Sequence, residues 1–163
     1  MTTNPLDTVL RTHPFLHDLD PAHLRILVPC AEDRIFASGD FLCRVGEPAE
    51  QFFLLREGRV ALEVHVPKRE GVRFQTLHEG EVLGWSWLFP PYRWHLDARA
   101  LKPVRAVALD ARRVRRECER DHKFGYQILK RFAQVMGHRL KGTRLQIVEL
   151  GHGGLKTEHR GDP

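Results

Sequence analysis

The side chains best suited to bind a ligand lie between Gly84 and His95. All three tryptophans of the chain are in this stretch, and their flat rings could either stack on a nucleobase or fill a hydrophobic core. Arg93 could pair with a phosphate or carboxylate, or with an acidic neighbour at the surface. The Ser86 hydroxyl and amide could bind an anion or cap a helix. The candidate ligand-binding residues are therefore Gly84, Trp85, Ser86, Trp87, Arg93, Trp94 and His95.

Metal binding and catalysis find little support in the other reactive residues. The chain has 10 histidines but no His-x-His pair, and His65, His78 and His95 are widely scattered, whereas cupin-type metal sites need ligands that converge from neighbouring strands. Three cysteines without a CxxC pair predict inert thiols instead of a zinc site or a disulfide framework. No nucleophile and base form a catalytic set. We predict no metal cofactor and no enzymatic activity, with a cupin-like metal enzyme as the weakest alternative.

Length and composition favour one water-soluble domain. The chain has 163 residues, of which 42% are hydrophobic and 29% charged, and no apolar run has membrane-spanning length. No basic segment followed by an apolar one begins the chain, so we expect no secretion signal and a cytoplasmic location. The net charge of +5 favours an anionic ligand, an acidic partner or nucleic acid, or it reflects an ordinary solvated surface.

Short strands separated by turn residues are predicted in the middle of the sequence. Strand-length runs such as Phe52–Leu55 and Val60–Val64 alternate with turn signals at Gly39, Gly46 and Gly58. Glycine suits these turns because it adopts backbone conformations that a β-carbon would obstruct. This spacing is typical of an antiparallel barrel or sandwich of short strands.

Helices are predicted on both sides of the strands. Asn4-Pro5 and Asp20-Pro21 each predict the start of a short N-terminal helix, because the first residue can cap it and proline suits its first turn. Between Phe124 and Leu150, apolar residues recur at helical spacing. This pattern predicts one long amphipathic helix that ends near Gly151.

The order and spacing of the turn glycines are specific across Phe36–Phe41, Gly46–Ala49 and Phe52–Val60. In these segments the chain resembles the cyclic-nucleotide-binding domain of the catabolite activator protein superfamily. The resemblance continues through Leu77–Gly84 and Ala98–Leu101 into the C-terminal helices, so it covers nearly the whole chain. It implies a mainly β fold with flanking helices, namely a double-stranded β-helix (jelly-roll) barrel with short N-terminal helices and a long C-terminal helix.

The expected domain organisation follows from these elements. One cyclic-nucleotide-binding-like domain covers residues 1–150, with N-terminal helices in 1–30, the β-barrel in 31–110 and C-terminal helices in 111–150. Residues 151–163 are polar and rich in glycine, which predicts a flexible tail.

The resemblance implies a ligand between the barrel and a short helix that begins just after Gly84. In the family, amides at the helix start and an arginine bind the cyclic phosphate, while a glutamate after the glycine binds the ribose hydroxyl. Trp85 stands at the position of that glutamate. Counting back from Arg99-Ala100 places Trp94 at the phosphate position and Arg93 on the opposite face, whereas counting forward from Gly84 brings Arg93 close to that position.

Two functional hypotheses remain open at this point. The first is a stand-alone sensor or regulatory module of bacterial type, in which a small anionic or aromatic ligand, with cAMP and cGMP as candidates, shifts the C-terminal helices. The alternative is a degenerate barrel that binds no nucleotide and acts as a protein-interaction or dimerisation module. The replacement of the glutamate by Trp85 supports the alternative, whereas the glycine framework supports both.

The family's use of the long C-terminal helix as a dimer contact implies a homodimer. Leu129, Met136, Thr143 and Leu150 fall on a seven-residue repeat, which suits a contact between two helices, although the same stripe could pack on its own barrel.

Direct sequence-specific DNA binding is not expected. The family's transcription factors continue into a helix-turn-helix domain, and residues 151–163 leave no room for one. Four arginines between Arg112 and Arg116 form a basic cluster, but interspersed acidic residues favour a solvated helical face over a nucleic-acid surface.

Overall fold

The computed structural model describes residues 4–69 and 71–158, with side chains described as far as residue 151. The strands within these residues are β1 (Ala31–Phe36), β2 (Phe41–Cys43), β3 (Gln51–Glu57), β4 (Val60–Val64), β5 (Val72–Leu77), β6 (Val82–Leu83), β7 (Asp97–Ala100) and β8 (Val104–Asp110). They form two four-stranded antiparallel sheets, in the orders β1-β8-β3-β6 and β2-β7-β4-β5. This arrangement confirms the predicted mainly β fold class with flanking helices.

Two short helices precede the strands, and both begin at the predicted cap. In α1 (Pro5–Thr12), the Asn4 side chain accepts a hydrogen bond from the Leu6 amide at 3.0 Å. In α2 (Pro21–Leu27), Asp20 accepts one from the Ala22 amide at 2.8 Å. Each cap satisfies a backbone donor that has no partner within its helix.

His13 joins the end of α1 to the first sheet. Its Nε2 lies 2.9 Å from the Leu55 carbonyl oxygen in β3, and its Nδ1 accepts a hydrogen bond from the Phe15 amide. Because Nδ1 is an acceptor, the ring is neutral and Nε2 carries the proton. Burial lowers the pKa of His13, while the hydrogen bond to Leu55 opposes that shift.

Two helices follow the strands. Asp110 begins α3 (Ala111–Arg120) by accepting a hydrogen bond from the Arg113 amide at 3.1 Å. Next, α4 (His122–Glu158) continues beyond the end predicted near Gly151. The predicted boundary at Gly151 was therefore wrong. Glycine inside a helix lowers its stability by only about 1 kcal/mol relative to alanine, so the helix can continue through Gly151. The remainder of the predicted tail, residues 159–163, lies outside the described residues.

The described chain divides into two compact units, one ending at Gln127 and one beginning at Ile128. In the first unit β3 is covered on both faces, because residues Phe52–Leu55 are all buried. Phe53 meets Phe36 of β1 edge to face, at 5.8 Å between ring centroids. Helix α3 packs on β3 and β8. The second unit exposes large apolar side chains along α4, among them Leu140, Leu145 and Leu150.

The three cysteines are free thiols. Burial raises the pKa of Cys30 and of Cys43, and it raises the pKa of Cys118 to about 11. Since the thiolate is the reactive form, these shifts agree with the interpretation of inert thiols.

Candidate ligand-binding site

The candidate residues form a single chain segment that follows β6. Gly84 ends the strand with φ of +101°, a left-handed conformation that favours glycine. The next helical element is a single 3₁₀ turn, Ser86–Leu88, with Trp85 at its N-cap position and no side-chain cap. The expected short helix is therefore one turn long. Such a turn has fewer aligned amides than the α-helix that usually binds an anion.

Trp94 fills the space in front of Gly84. A β-carbon on Gly84 would collide with Cη2 and Cζ3 of the Trp94 ring, and Trp94 itself is only 6% exposed. Its position is fixed from the other side by two backbone hydrogen bonds, from the Gly46 amide to the Trp94 oxygen at 2.9 Å and from the Trp94 amide to the Glu47 oxygen at 3.0 Å. Trp94 thus lies inside the domain, whereas Arg93 is exposed.

Arg93 pairs with the turn that connects β2 to β3. Its side chain is exposed, and Nη1 donates a hydrogen bond to the Gly46 carbonyl oxygen at 2.7 Å. An isolated β-bridge between Arg93 and Pro48 places this residue beside the turn that connects β2 to β3. In this conformation the guanidinium binds the backbone of the turn between β2 and β3.

Trp85, Ser86 and His95 form a small polar and aromatic group. Ser86 is buried, and its Oγ lies 3.0 Å from Nδ1 of His95. The rings of Trp85 and His95 are stacked with centroids 5.4 Å apart. Ser86 therefore neither caps the 3₁₀ turn nor leaves its hydroxyl free, because His95 uses it.

Trp87 is part of the core. It is fully buried, stacks on Phe52 with ring centroids 4.6 Å apart, and donates a hydrogen bond from Nε1 to the Gly84 oxygen at 3.2 Å. Its ring is thus engaged on one face by Phe52 and at its edge by Gly84. Trp87 and Trp94 are thus both buried in the described structure.

Arg115 of α3 contacts this segment and was missed as a site residue from the sequence. Its Nη1 donates a hydrogen bond to the Trp87 oxygen at 2.7 Å, and its guanidinium lies 3.9 Å from the centroid of the Tyr92 ring. Tyr92 follows the cis Pro90–Pro91 bond and has a φ of 55°. The sequence shows Arg115 only as one member of a basic cluster, and the contact depends on how α3 packs.

The candidate histidines do not come together. Nε2 of His65 lies 2.6 Å from the buried carboxylate of Asp97, whereas His95 pairs with Ser86. Among the residues that the structure describes, no group of three His, Cys, Asp or Glu side chains is placed to hold a metal ion. No helix in the same part of the chain is long and apolar enough to cross a membrane.

Comparison with known proteins identifies the family. The family model described as "Cyclic nucleotide-binding domain" matches residues 33–121, which include both sheets and the segment after β6. The chain belongs to the cyclic nucleotide-binding domain family. The fold of this family supports a ligand-sensing or regulatory module.

The chain is also similar to solved structures and to one segment of a longer protein. A putative cyclic nucleotide-binding protein from Geobacter metallireducens has 27% identity and a TM-score of 0.74, over 86% of this chain and 99% of that one. A cyclic nucleotide-binding domain from Methylobacillus flagellatus has 16% identity and a TM-score of 0.76, over 88% and 84%. "Glutaminase 1" from Bradyrhizobium diazoefficiens is 30% identical over 135 residues, and the chain spans about a fifth of that protein's length.

Proposed function

We propose that this chain is a regulatory domain that acts through protein contacts and does not bind cAMP or cGMP in the manner of its family. The observation that carries this proposal is the position of Trp94. Its buried ring occupies the space in front of Gly84, where the resemblance places the cyclic phosphate. A phosphate could enter only if this ring left the core.

The missing polar partners support the same conclusion. Arg93 is exposed and its guanidinium already donates to the Gly46 oxygen, so in the described conformation this side chain is engaged with the protein backbone. Trp85 has no carboxylate with which to accept a hydrogen bond from a ribose hydroxyl. Hydrogen bonds to charged groups contribute about 1.5–3 kcal/mol each, so the loss of both would weaken nucleotide binding by orders of magnitude.

A second copy of the chain is the protein partner best supported. Along α4 the exposed side chains include Leu129 and Leu150, the first and last members of the seven-residue repeat. Exposed apolar residues at this spacing can pack against an equivalent helix. The match to one segment of a longer glutaminase is consistent with a domain that regulates through such contacts.

Calorimetric titration of nucleotide-free protein with cAMP and cGMP tests the first part of the proposal. We expect no binding heat with either nucleotide up to about 1 mM, from protein shown by circular dichroism to be folded. Micromolar binding that is lost in Arg93→Ala would contradict the proposal and establish a nucleotide sensor. Binding unaffected by Arg93→Ala would indicate that the nucleotide uses another site, which agrees with the loss of the family's binding mode.

Sedimentation equilibrium tests the second part. The wild-type chain is expected to be a dimer, and Leu150→Glu to weaken the dimer at least tenfold, because a carboxylate would be buried in an apolar contact. His138→Glu, an exposed position outside the repeat, is the control and should leave the dimer intact. If the wild-type chain is still monomeric at about 100 μM, roughly 100 times a micromolar dissociation constant, a second copy is excluded as the partner.

A further inference from the structure

The first unit has a concave site that adjoins the segment after β6 at Trp94. A cavity of about 710 Å³ opens between the start of α3, the beginning of β1 and the turn that joins β2 to β3. This volume lies within the range of small-molecule sites in proteins. Of the candidate residues from the sequence, only Trp94 lines it.

The floor of the cavity is apolar and partly aromatic. Leu42, Phe53 and Trp94 line it, and all three side chains belong to the buried core. Because Phe53 is 3% and Trp94 6% exposed, these side chains close the cavity at its base and offer a ligand little ring surface.

Trp94 also presents an unused hydrogen-bond donor. The end of its ring that contains Cζ3 and Cη2 faces Gly84, so the N–H belongs to the other end of the indole. Within residues 4–69 and 71–158, this N–H donates to no protein acceptor. It is also not fully enclosed by protein atoms, so a ligand can reach it. Since the side chain is 94% buried and lines the cavity, the donor suits a ligand that carries an acceptor.

The rim of the cavity is acidic. Four carboxylates and two guanidiniums line it, which gives these lining residues a formal net charge of −2. The acidic residues are Glu32, Glu47, Glu50 and Asp110, and the basic ones are Arg112 and Arg113. This charge repels phosphates and attracts cations.

Most of these charged groups already have partners. Arg113 donates to the Pro29 oxygen at 2.7 Å, and Asp110 accepts from the Arg113 amide. Arg112 lies at 4.0 Å from Glu50. Within the described residues the carboxylate of Glu47 makes no hydrogen bond or ion pair, which leaves it available to a ligand.

Glu47 and Trp94 are held beside each other. The Trp94 amide donates to the Glu47 backbone oxygen at 3.0 Å, which holds the two residues at neighbouring positions of the cavity wall.

We propose that this cavity binds a small organic cation that carries a hydrogen-bond acceptor. The acceptor meets the Trp94 N–H, and the ammonium group pairs with Glu47. The proposal is independent of the absence of cyclic-nucleotide binding, because it concerns a ligand of opposite charge in a cavity that Gly84, Trp85 and Ser86 do not line.

Three probes that share one hydroxyphenyl group test the proposal. Tyramine is a cation at pH 7, 4-hydroxyphenylethanol is neutral and 4-hydroxyphenylacetate is an anion. Their binding to the full chain is measured by calorimetry up to about 10 mM at low salt. We expect tyramine to bind at least tenfold more tightly than the alcohol, and the acetate to bind least.

Variants assign the charge preference to Glu47. Because Glu47 is exposed, Glu47→Gln is expected to fold, to weaken tyramine binding about tenfold and to leave binding of the alcohol unchanged. Glu79→Gln, an exposed position outside the cavity, is the matched control and should bind tyramine as the wild type does. Equal affinity for the three probes, no binding of tyramine, or an equal loss in both variants would overturn the proposal.

Discussion

The packing of Trp94 on Gly84 can be measured as a free energy of interaction. Gly84→Ala has two costs: alanine is strained at a φ of +101°, by about 1–3 kcal/mol, and its methyl group meets the Trp94 ring, by about another 1–3 kcal/mol. Gly39 provides a matched control, because its φ is +93° and no atom lies within 4 Å of an added β-carbon. Gly39→Ala should therefore show the backbone cost alone.

The second cost should disappear when the ring is removed. In a Trp94→Leu background, Gly84→Ala should cost about 1–3 kcal/mol less than in the wild type, which is the range of interaction energies between residues in contact. Urea unfolding followed by circular dichroism gives the free energy of unfolding of each variant. If Gly84→Ala costs no more than Gly39→Ala, and costs the same in both backgrounds, Trp94 does not fill the space before Gly84 and the basis of the proposed function fails.

Three further results are expected. The free energy of unfolding should decrease as the pH falls below about 6.5, because the pKa of His13 is lowered in the folded state and only the unfolded chain then takes up the proton. The decrease should be at most about 1.4 kcal/mol per pH unit. In His13→Gln, the free energy of unfolding should decrease less, as measured by urea unfolding at pH 7.5, 6 and 5. Arg115→Ala should lower the free energy of unfolding by about 1–2 kcal/mol, because the contacts with Trp87 and Tyr92 are lost. If the neighbouring exposed variant Arg116→Ala lowers it by a similar amount, these contacts are not the cause. The folded chain should react slowly with a thiol reagent at pH 8 and quickly in urea, because the pKa of Cys118 is raised to about 11 and Cys30 and Cys43 are buried. Fast reaction of all three thiols in the folded chain would contradict the burial of Cys30 and Cys43.

Much of the fold was predictable because local conformational requirements are visible in residue types. Gly39, Gly46 and Gly58 all have positive φ, as turn glycines between strands should. Asn4 and Asp20 are followed by proline and cap the two N-terminal helices, which is a signal contained within a few residues. The end of α4 was not predictable in the same way, since Gly151 is compatible with both a helix end and a helix interior.

The candidate site was less predictable because it depends on contacts between distant residues. Whether Arg93 or Trp94 points inward is decided by backbone pairing with Gly46 and Glu47, and no local pattern around residue 93 reports that pairing. The role of Arg115 likewise follows from the packing of α3 against the segment after β6. The composition of the segment correctly drew attention to its tryptophans, but it did not distinguish core packing from ligand contact.

The order of strands in the first sheet has a consequence for how the chain folds during synthesis. The last strand, β8, lies between β1 and β3, so that Ala31 pairs with Leu109 and Phe53 with Ala108. Until the ribosome has released residue 110, the first and third strands lack their shared neighbour, and apolar segments such as Phe52–Leu55 have an uncovered edge. The nascent chain therefore passes through an interval in which it is prone to aggregate, and a chaperone that binds short apolar strands would protect it most between the completion of β3 and that of β8.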